Sequence, residues 1–228
     1  MSKCQQCIMR EFSTLKSLSK EELKNISDHK DSIDFKKGDV LFSEGNLLNG
    51  VYCIKEGVCK LTRLSSNGKE QIVRFVKGGD MLGYRSILSE EPVTLTVTVM
   101  KDMRACYIPK KDIFDSIREN PNFSLDMMKV VCHDLRDANT TITNMAQKSV
   151  KERLADTLLF LKDTFGLNEE GFLSIVLTRE ELSSVIGTAT ESAIRLLSEF
   201  KKNGVIGLEG KKVKILDEAE LHKISQGF

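Results

Sequence analysis

From Thr178 to Gly204 the chain reads TREELSSVIGTATESAIRLLSEFKKNG, and this stretch admits few folds other than two short helices joined by a tight turn at Gly187. Thr178 with Glu181, and Thr188 with Glu191, both fit the Ser/Thr-x-x-Glu capping box, in which side chains satisfy the amides that a helix start leaves unpaired. Leu182, Val185 and Ile186 form an apolar stripe on the first helix; Ala193, Leu196, Leu197 and Phe200 form one on the second. Gly204 is placed to end the second helix in the left-handed conformation. The spacing predicts a helix-turn-helix with one buried face on each helix.

Thr190, Glu191, Ser192 and Arg195 lie off the second stripe, near that helix's N-terminus. A helix entering a DNA major groove N-terminus first sets such residues against base edges. There Arg can donate twice to guanine and Glu can accept from cytosine. Glu191 and Arg195 are also four apart, which suits a surface ion pair equally well. Downstream, VIGLEGKKVKIL reads as a hairpin turning at Glu209-Gly210, a wing, and FLSIVL upstream is a candidate third strand. Thr178, Arg179, Thr188, Lys201, Lys211 and Lys212 are the candidate phosphate contacts, with a solvated charged face as the alternative for the lysines. From Lys148 onward twelve Lys/Arg face thirteen Asp/Glu, so any basic footprint must be local.

The preceding chain is of another kind. From Ile33 to about Pro109, short β-rich runs (DVLFSEG, GVYCIKEGVCKLTRL, EQIVRFV, VTLTVTVM, MRACYIP) alternate with Gly-containing breaks such as KKGD, KEG, SNGK and KGGD, predicting a small barrel or sandwich. Ser19 before KEEL is a candidate helix cap, and Lys110 to Arg118 a short helix. Asn120-Pro121 then opens a long helix to about Met145, and KSVKERLADTLLFLKDTFG continues helical. On the long helix Leu125, Cys132, Asn139 and Ala146 occupy one heptad position while Met128, Leu135 and Ile142 occupy the other. That is the seam of a two-stranded coiled coil. A parallel homodimer is expected, with Asn139 fixing register; a long helix packed on its own domain is the alternative.

MSKCQQCIMREF has no apolar run of signal-peptide length, and no segment reaches the roughly 18 apolar residues of a membrane span. A cytoplasmic protein with no membrane contact is expected, and its six cysteines are expected to be thiols or metal ligands. His29, His133 and His222 match no metal spacing, and neither a phosphate-binding Gly-rich loop nor a nucleophile elbow occurs. Cys132 and His133 point about 100° apart on a helix and do not form a catalytic pair. No enzymatic role is expected.

A β-rich domain, a long dimerisation helix and a winged helix, in that order, resemble the bacterial CRP/FNR superfamily of transcription regulators over nearly the whole chain. KKGD at 36 to 39, IKEGVCKL at 54 to 61 and GGDMLG at 78 to 83 are similar to the family's effector-domain glycines; GTATESAIRLLSEFKKNGVI at 187 to 206 is similar to its recognition helix. The resemblance implies an α+β fold: a jelly-roll-like effector barrel over 1–118, a dimerisation helix over 119–147 and a winged helix-turn-helix over 148–228. It implies a homodimer on two-fold symmetric DNA with Glu191 and Arg195 reading bases, RNA polymerase as a further partner, and an effector pocket at Gly83, Tyr84, Arg85, Ser86 and Thr94. Members that bind cyclic AMP carry a Glu after the glycine matching Gly83 and an Arg-Ser/Thr pair near Pro92 to Thr94. Tyr84 and Val93 depart from that pattern, so cyclic AMP is not expected. Members of the oxygen-sensing branch hold an iron-sulfur cluster on four cysteines. Cys4, Cys7 and Cys106 resemble three of them, but the remaining ligand position falls on Ser13, which leaves Cys53 or Cys59 to replace it. The signal therefore stays open between redox and small-molecule chemistry. The alternative function is a sensor whose winged helix docks to a protein.

Overall fold

The computed structural model describes residues 13–66 and 68–227. The chain divides into two compact units, Met1–Arg136 and Asp137–Phe228. The described part of the first opens with a 3-10 turn, Thr14–Ser17, and helix α1, Lys20–His29, whose start at Ser19 carries the full capping box with Glu22. Strands β1 (Asp31–Phe35), β2 (Val40–Phe42), β3 (Gly50–Leu64), β4 (Glu70–Lys77), β5 (Met81–Leu82) and β6 (Thr96–Pro109) form one antiparallel sheet, with helix α2 (Tyr84–Ser89) inserted before β6. The hydrogen-bonded order is β1-β6-β3-β4, with β2 also on β6 and β5 also on β3.

β1 and β4 end that path without pairing to each other, so the expected closed barrel is an open sheet. Register shifts between Ile54/Glu56, Glu56/Val58 and Val58/Cys59 bulge the β3–β6 ladder, and bulges bend strands. The KEG segment expected as a turn is one of these bulges, inside a single continuous strand. Gly57 has φ +98, and a Cβ there would meet Asp102 O at 2.5 Å, so glycine is required on both counts. One cluster of buried side chains gathers Leu23, Ile26, Val51, Ile87, Ile108, Ile113, Phe123 and Met127; another gathers Ile54, Cys59, Val76, Val97, Val99 and Ala105.

Helix α3 (Lys110–Glu119) leads to α4, Pro121–Gln147. Asn120 caps α4, its Oδ1 accepting from Asn122 N and Phe123 N at 3.1 Å each. After a break at Lys148 the second unit continues with α5 (Val150–Phe165, capped by Ser149), α6 (Arg179–Ile186), α7 (Thr190–Lys202), the hairpin β7 (Ile206–Glu209) and β8 (Lys212–Ile215), and α8 (Glu218–Ser225). The expected third wing strand, FLSIVL, contributes an isolated bridge, Leu167 to Leu173, and one bond from Leu173 N to Val213 O at 2.9 Å. Leu173, Ile175 and Leu177 are buried in that segment. Its apolar alternation thus serves core packing and not a ladder.

Candidate nucleic-acid interface

Helix α6 starts as its sequence dictates. Thr178 Oγ1 accepts from Glu181 N at 3.0 Å and Glu181 Oε2 accepts from Thr178 N at 2.8 Å. Gly187 ends it in the left-handed region, φ +63, and a Cβ there would lie 3.0 Å from Met145 Sδ. The second expected capping box does not form. α7 begins one residue later than the pattern suggested, with Ala189 at the cap and no side-chain cap bond. Thr188 instead spends its amide on Ser183 O at 3.0 Å within the turn, and Ser183 Oγ lies 3.1 Å from Thr190 Oγ1.

α7 buries Ala193, Leu196, Leu197 and Phe200, while Glu191 and Arg195 are exposed and Thr190 and Ser192 half-buried. Among the described residues neither Glu191 nor Arg195 makes an ion pair or side-chain hydrogen bond, so the intrahelical pair open to them is not formed. Lys201 is exposed in the last turn of α7, roughly 15 Å along the axis from Glu191. Lys211 is exposed at the wing turn. Lys212 pairs with Glu170 at 3.1 Å and Glu209 at 3.8 Å, and the bond to Glu170 raises its pKa. Lys214 donates to Glu170 O at 2.9 Å, and both ammonium groups sit over the Phe172 ring. Arg179 Nη2 donates to Gly210 O at 2.8 Å, tying the start of α6 to the wing turn, and burial lowers its pKa.

Arg153, which sequence reasoning missed, holds this unit together at one point. Its Nη1 donates to Lys148 O (2.6 Å) and Met145 O (3.3 Å), its Nε to Ile186 O (2.8 Å) and its Nη2 to Gly187 O (3.5 Å). One guanidinium thus satisfies orphan carbonyls at the ends of both α4 and α6. Lys148 itself reaches Asp156 at 2.6 Å and Ser225 O at 2.9 Å.

Of the five residues expected to form an effector pocket, Gly83 to Ser86 are consecutive at the start of α2, and Thr94 lies two residues before β6. Gly83 caps α2 in the left-handed region; Tyr84 and Ser86 are buried, and Arg85 and Thr94 are exposed. Ser86 Oγ donates to Glu91 O at 2.5 Å. Tyr84 Oη donates to Asp134 of α4, which also binds Arg74 Nη1 of β4 at 2.5 Å. Burial, then the bond to Asp134, pushes the Tyr84 phenol well up. For Arg74 burial works downward, but Asp134, Asp80 and Tyr84 outweigh it and the net shift is upward. Asp134 continues the inward stripe of Phe123, Met127 and Val130 at helical spacing, which is the signal that could have found it.

Cys4 and Cys7 lie outside the described residues, and Cys106 on β6 stands directly opposite Cys53 on β3. Among the described residues no group of three or more His, Cys, Asp or Glu could hold a metal. They therefore do not furnish the four thiolates of an iron-sulfur cluster, and Ser13 Oγ is occupied as the cap of the 3-10 turn. Nor is any helix among them long and apolar enough to cross a membrane.

A β-sheet unit followed by a long helix and a capped, winged helix-turn-helix with an exposed polar face on its second helix is the architecture of a DNA-binding regulator of transcription. Residues 32–120 match the cyclic nucleotide-binding domain family and residues 152–224 the Crp-like helix-turn-helix domain family. The chain is 31% identical over 191 residues to a CRP-like cAMP-activated global transcriptional regulator of Mycobacterium tuberculosis, covering 83% of this chain and 85% of that one. It is 27% identical over 229 residues to the fumarate and nitrate reduction regulatory protein of Vibrio cholerae, covering 97% and 90%. A crp/fnr family structure from Eubacterium rectale superposes with a TM-score of 0.79 at 23% identity, covering 93% of this chain and 97% of that one. The chain belongs to the CRP/FNR family of transcription regulators.

Proposed function

We propose that this regulator binds a two-fold symmetric DNA site as a homodimer, with Glu191 and Arg195 of each α7 reading base edges. The observation that carries this reading is α7 itself: a fully buried apolar face opposite two exposed, unpaired, complementary side chains at the N-terminal end. Thr190 and Ser192 flank them, and Thr178, Thr188, Lys201 and Lys211 are the phosphate contacts. Arg179 and Lys212 act chiefly by bracing the wing, since Arg179 Nη2 donates to Gly210 O and Lys212 pairs with Glu170. Dimerisation is supported by the outward stripe on α4, where Leu125, Met128, Leu135 and Ile142 are 50%, 55%, 62% and 66% exposed. Cys132 and Asn139 are exposed along the same line, and apolar exposure of this extent on one helix calls for a partner. RNA polymerase and a cytoplasmic location belong to the same reading.

The signal acts on the β-sheet unit and reaches α4 through the Arg74–Asp134–Tyr84 contact. Its chemistry differs from that of cyclic AMP: Tyr84 stands where a ribose-binding carboxylate would, committed to Asp134, and the phosphate position offers Val93 and Thr94. Binding-site selection tests the base-reading role. Arg195→Ala should weaken the cognate site by about 1–3 kcal/mol and relax base choice at one position per half-site. An unchanged base preference refutes it. Docking of the winged helix to a protein is separated by salt, because phosphate contacts make log affinity fall steeply with log salt concentration.

A further inference from the structure

The face of α7 turned away from the core is not wholly polar. Glu191, Ile194, Arg195 and Ser198 are all exposed, and their spacing puts them on one side of the helix. Ile194 is 45% exposed, whereas Ala193, Leu196 and Leu197 around it are buried. Its position lies about 60° round the helix from Glu191 and about 1.5 Å along the axis from Arg195. The core-facing stripe is complete without it. A branched apolar side chain thus stands among the residues assigned to base edges, where a polar group opposite it would lose water and gain no partner.

We infer that Ile194 is a specificity-determining residue that selects a thymine in each half-site by packing on its C5-methyl group. Of the groups that distinguish the four base pairs in the major groove, that methyl is the apolar one; the others donate or accept hydrogen bonds. The inference rests on the base-reading role of α7 proposed above. Isoleucine suits the contact, because on a helix it keeps close to one χ1 rotamer and loses little freedom when it packs. Ser198, on the same face, already donates its hydroxyl proton to Ile194 O at 2.9 Å. Successive base pairs are about 3.4 Å apart, so the thymine stands within about two base pairs of the one read by Arg195.

The test offers random duplexes to the full-length chain, then resynthesises the selected site with uracil in place of one thymine at a time. That change deletes the methyl and keeps the base pairing. Uracil at one position per half-site, within about two base pairs of the position where Arg195→Ala relaxes base choice, should weaken the parent about fourfold, and about 15-fold when both half-sites carry it. Ile194→Ala should bind the thymine and uracil sites alike while keeping the parent's far-ultraviolet circular dichroism, and Ile194→Val should retain part of the discrimination. A parent indifferent to every uracil overturns the inference, as does an Ile194→Ala variant that still separates the two sites. In either case a relaxed base choice in Arg195→Ala leaves the base-reading role of α7 standing. Unchanged base choice in Arg195→Ala, or a selection that returns no site, overturns that role and this inference with it.

Discussion

Replacing Asp134 by alanine should destabilise the sheet-bearing unit while leaving the helix-turn-helix unit intact. Two interactions are lost together. The Tyr84 hydroxyl, on a buried residue, gives up a bond to a charged acceptor, which contributes about 1.5–3 kcal/mol. The Arg74 pair is 42% and 18% exposed, and solvent screening limits its share to about 0.2–1 kcal/mol. The sum is about 2–4 kcal/mol. Asp134→Asn retains an acceptor for Tyr84 but no charge for Arg74, so its cost should fall near half of that. The chain offers a convenient probe: it has no tryptophan, and its three tyrosines, Tyr52, Tyr84 and Tyr107, all belong to the first unit. In urea, with a slope of about 1–2 kcal/mol per molar for a unit of this size, the tyrosine transition of Asp134→Ala should move down by about 1–4 M. A midpoint within error of the parent would refute the argument, because it would mean that neither Tyr84 nor Arg74 depends on Asp134.

Other perturbations follow from single observations. Burial pushes the Cys59 thiol up to about 12 from an ordinary value of 9.0. Its contribution is therefore complete below pH 9 and is lost as the unfolded thiol ionises between pH 9 and 12, up to about 4 kcal/mol. Urea midpoints from pH 8 to 11 should fall more steeply in the parent than in Cys59→Ala; parallel profiles would disprove the assignment. Tyr84, also shifted upward, adds a loss of the same sign beginning near pH 10. Arg153→Met should lower DNA affinity by about 1–3 kcal/mol at every sequence alike, visible as an unchanged selected motif in a weaker binder. Asn139→Leu should tighten self-association while loosening register, and sedimentation that shows a monomer for parent and variant alike would remove the seam.

Local rules carried the sequence reading where side chains answer to their own neighbours. The Ser19 and Thr178 boxes, the left-handed turns at Gly187 and Gly204 and the buried face of α7 all follow from spacings of three or four residues. The second box failed for a tertiary reason: Thr188 is held in the turn by Ser183, which delays the start of α7 until Thr190. FLSIVL carries a strand's alternation, yet only its Leu173 amide bonds to β8, so composition exceeded pairing. Long-range partners left no local trace at all. Asp34 to Arg104, Arg74 to Asp134 and Cys53 to Cys106 are 50 residues or more apart and become neighbours only through register.

Helix α4 shows why one periodicity is never the whole reading. Leu125, Met128, Cys132, Leu135, Asn139 and Ile142 advance in steps of three and four around the outside. Phe123, Met127, Val130 and Asp134 advance in steps of four, three and four, one or two positions earlier, and these face the apolar core of the first unit. Met145, eleven residues beyond Asp134, continues the inner stripe and lies against Gly187 in the second unit. A heptad scan selects the strongest apolar repeat, which is the outer one, and treats the polar Asp134 as surface. Yet a carboxylate placed on an inner stripe costs stability unless a buried donor meets it. Its position at Phe123 plus eleven therefore implies a hidden cation or hydroxyl across the packed face. Tyr84 and Arg74 are those partners, and they join β4 and α2 to the helix that carries the outward apolar stripe.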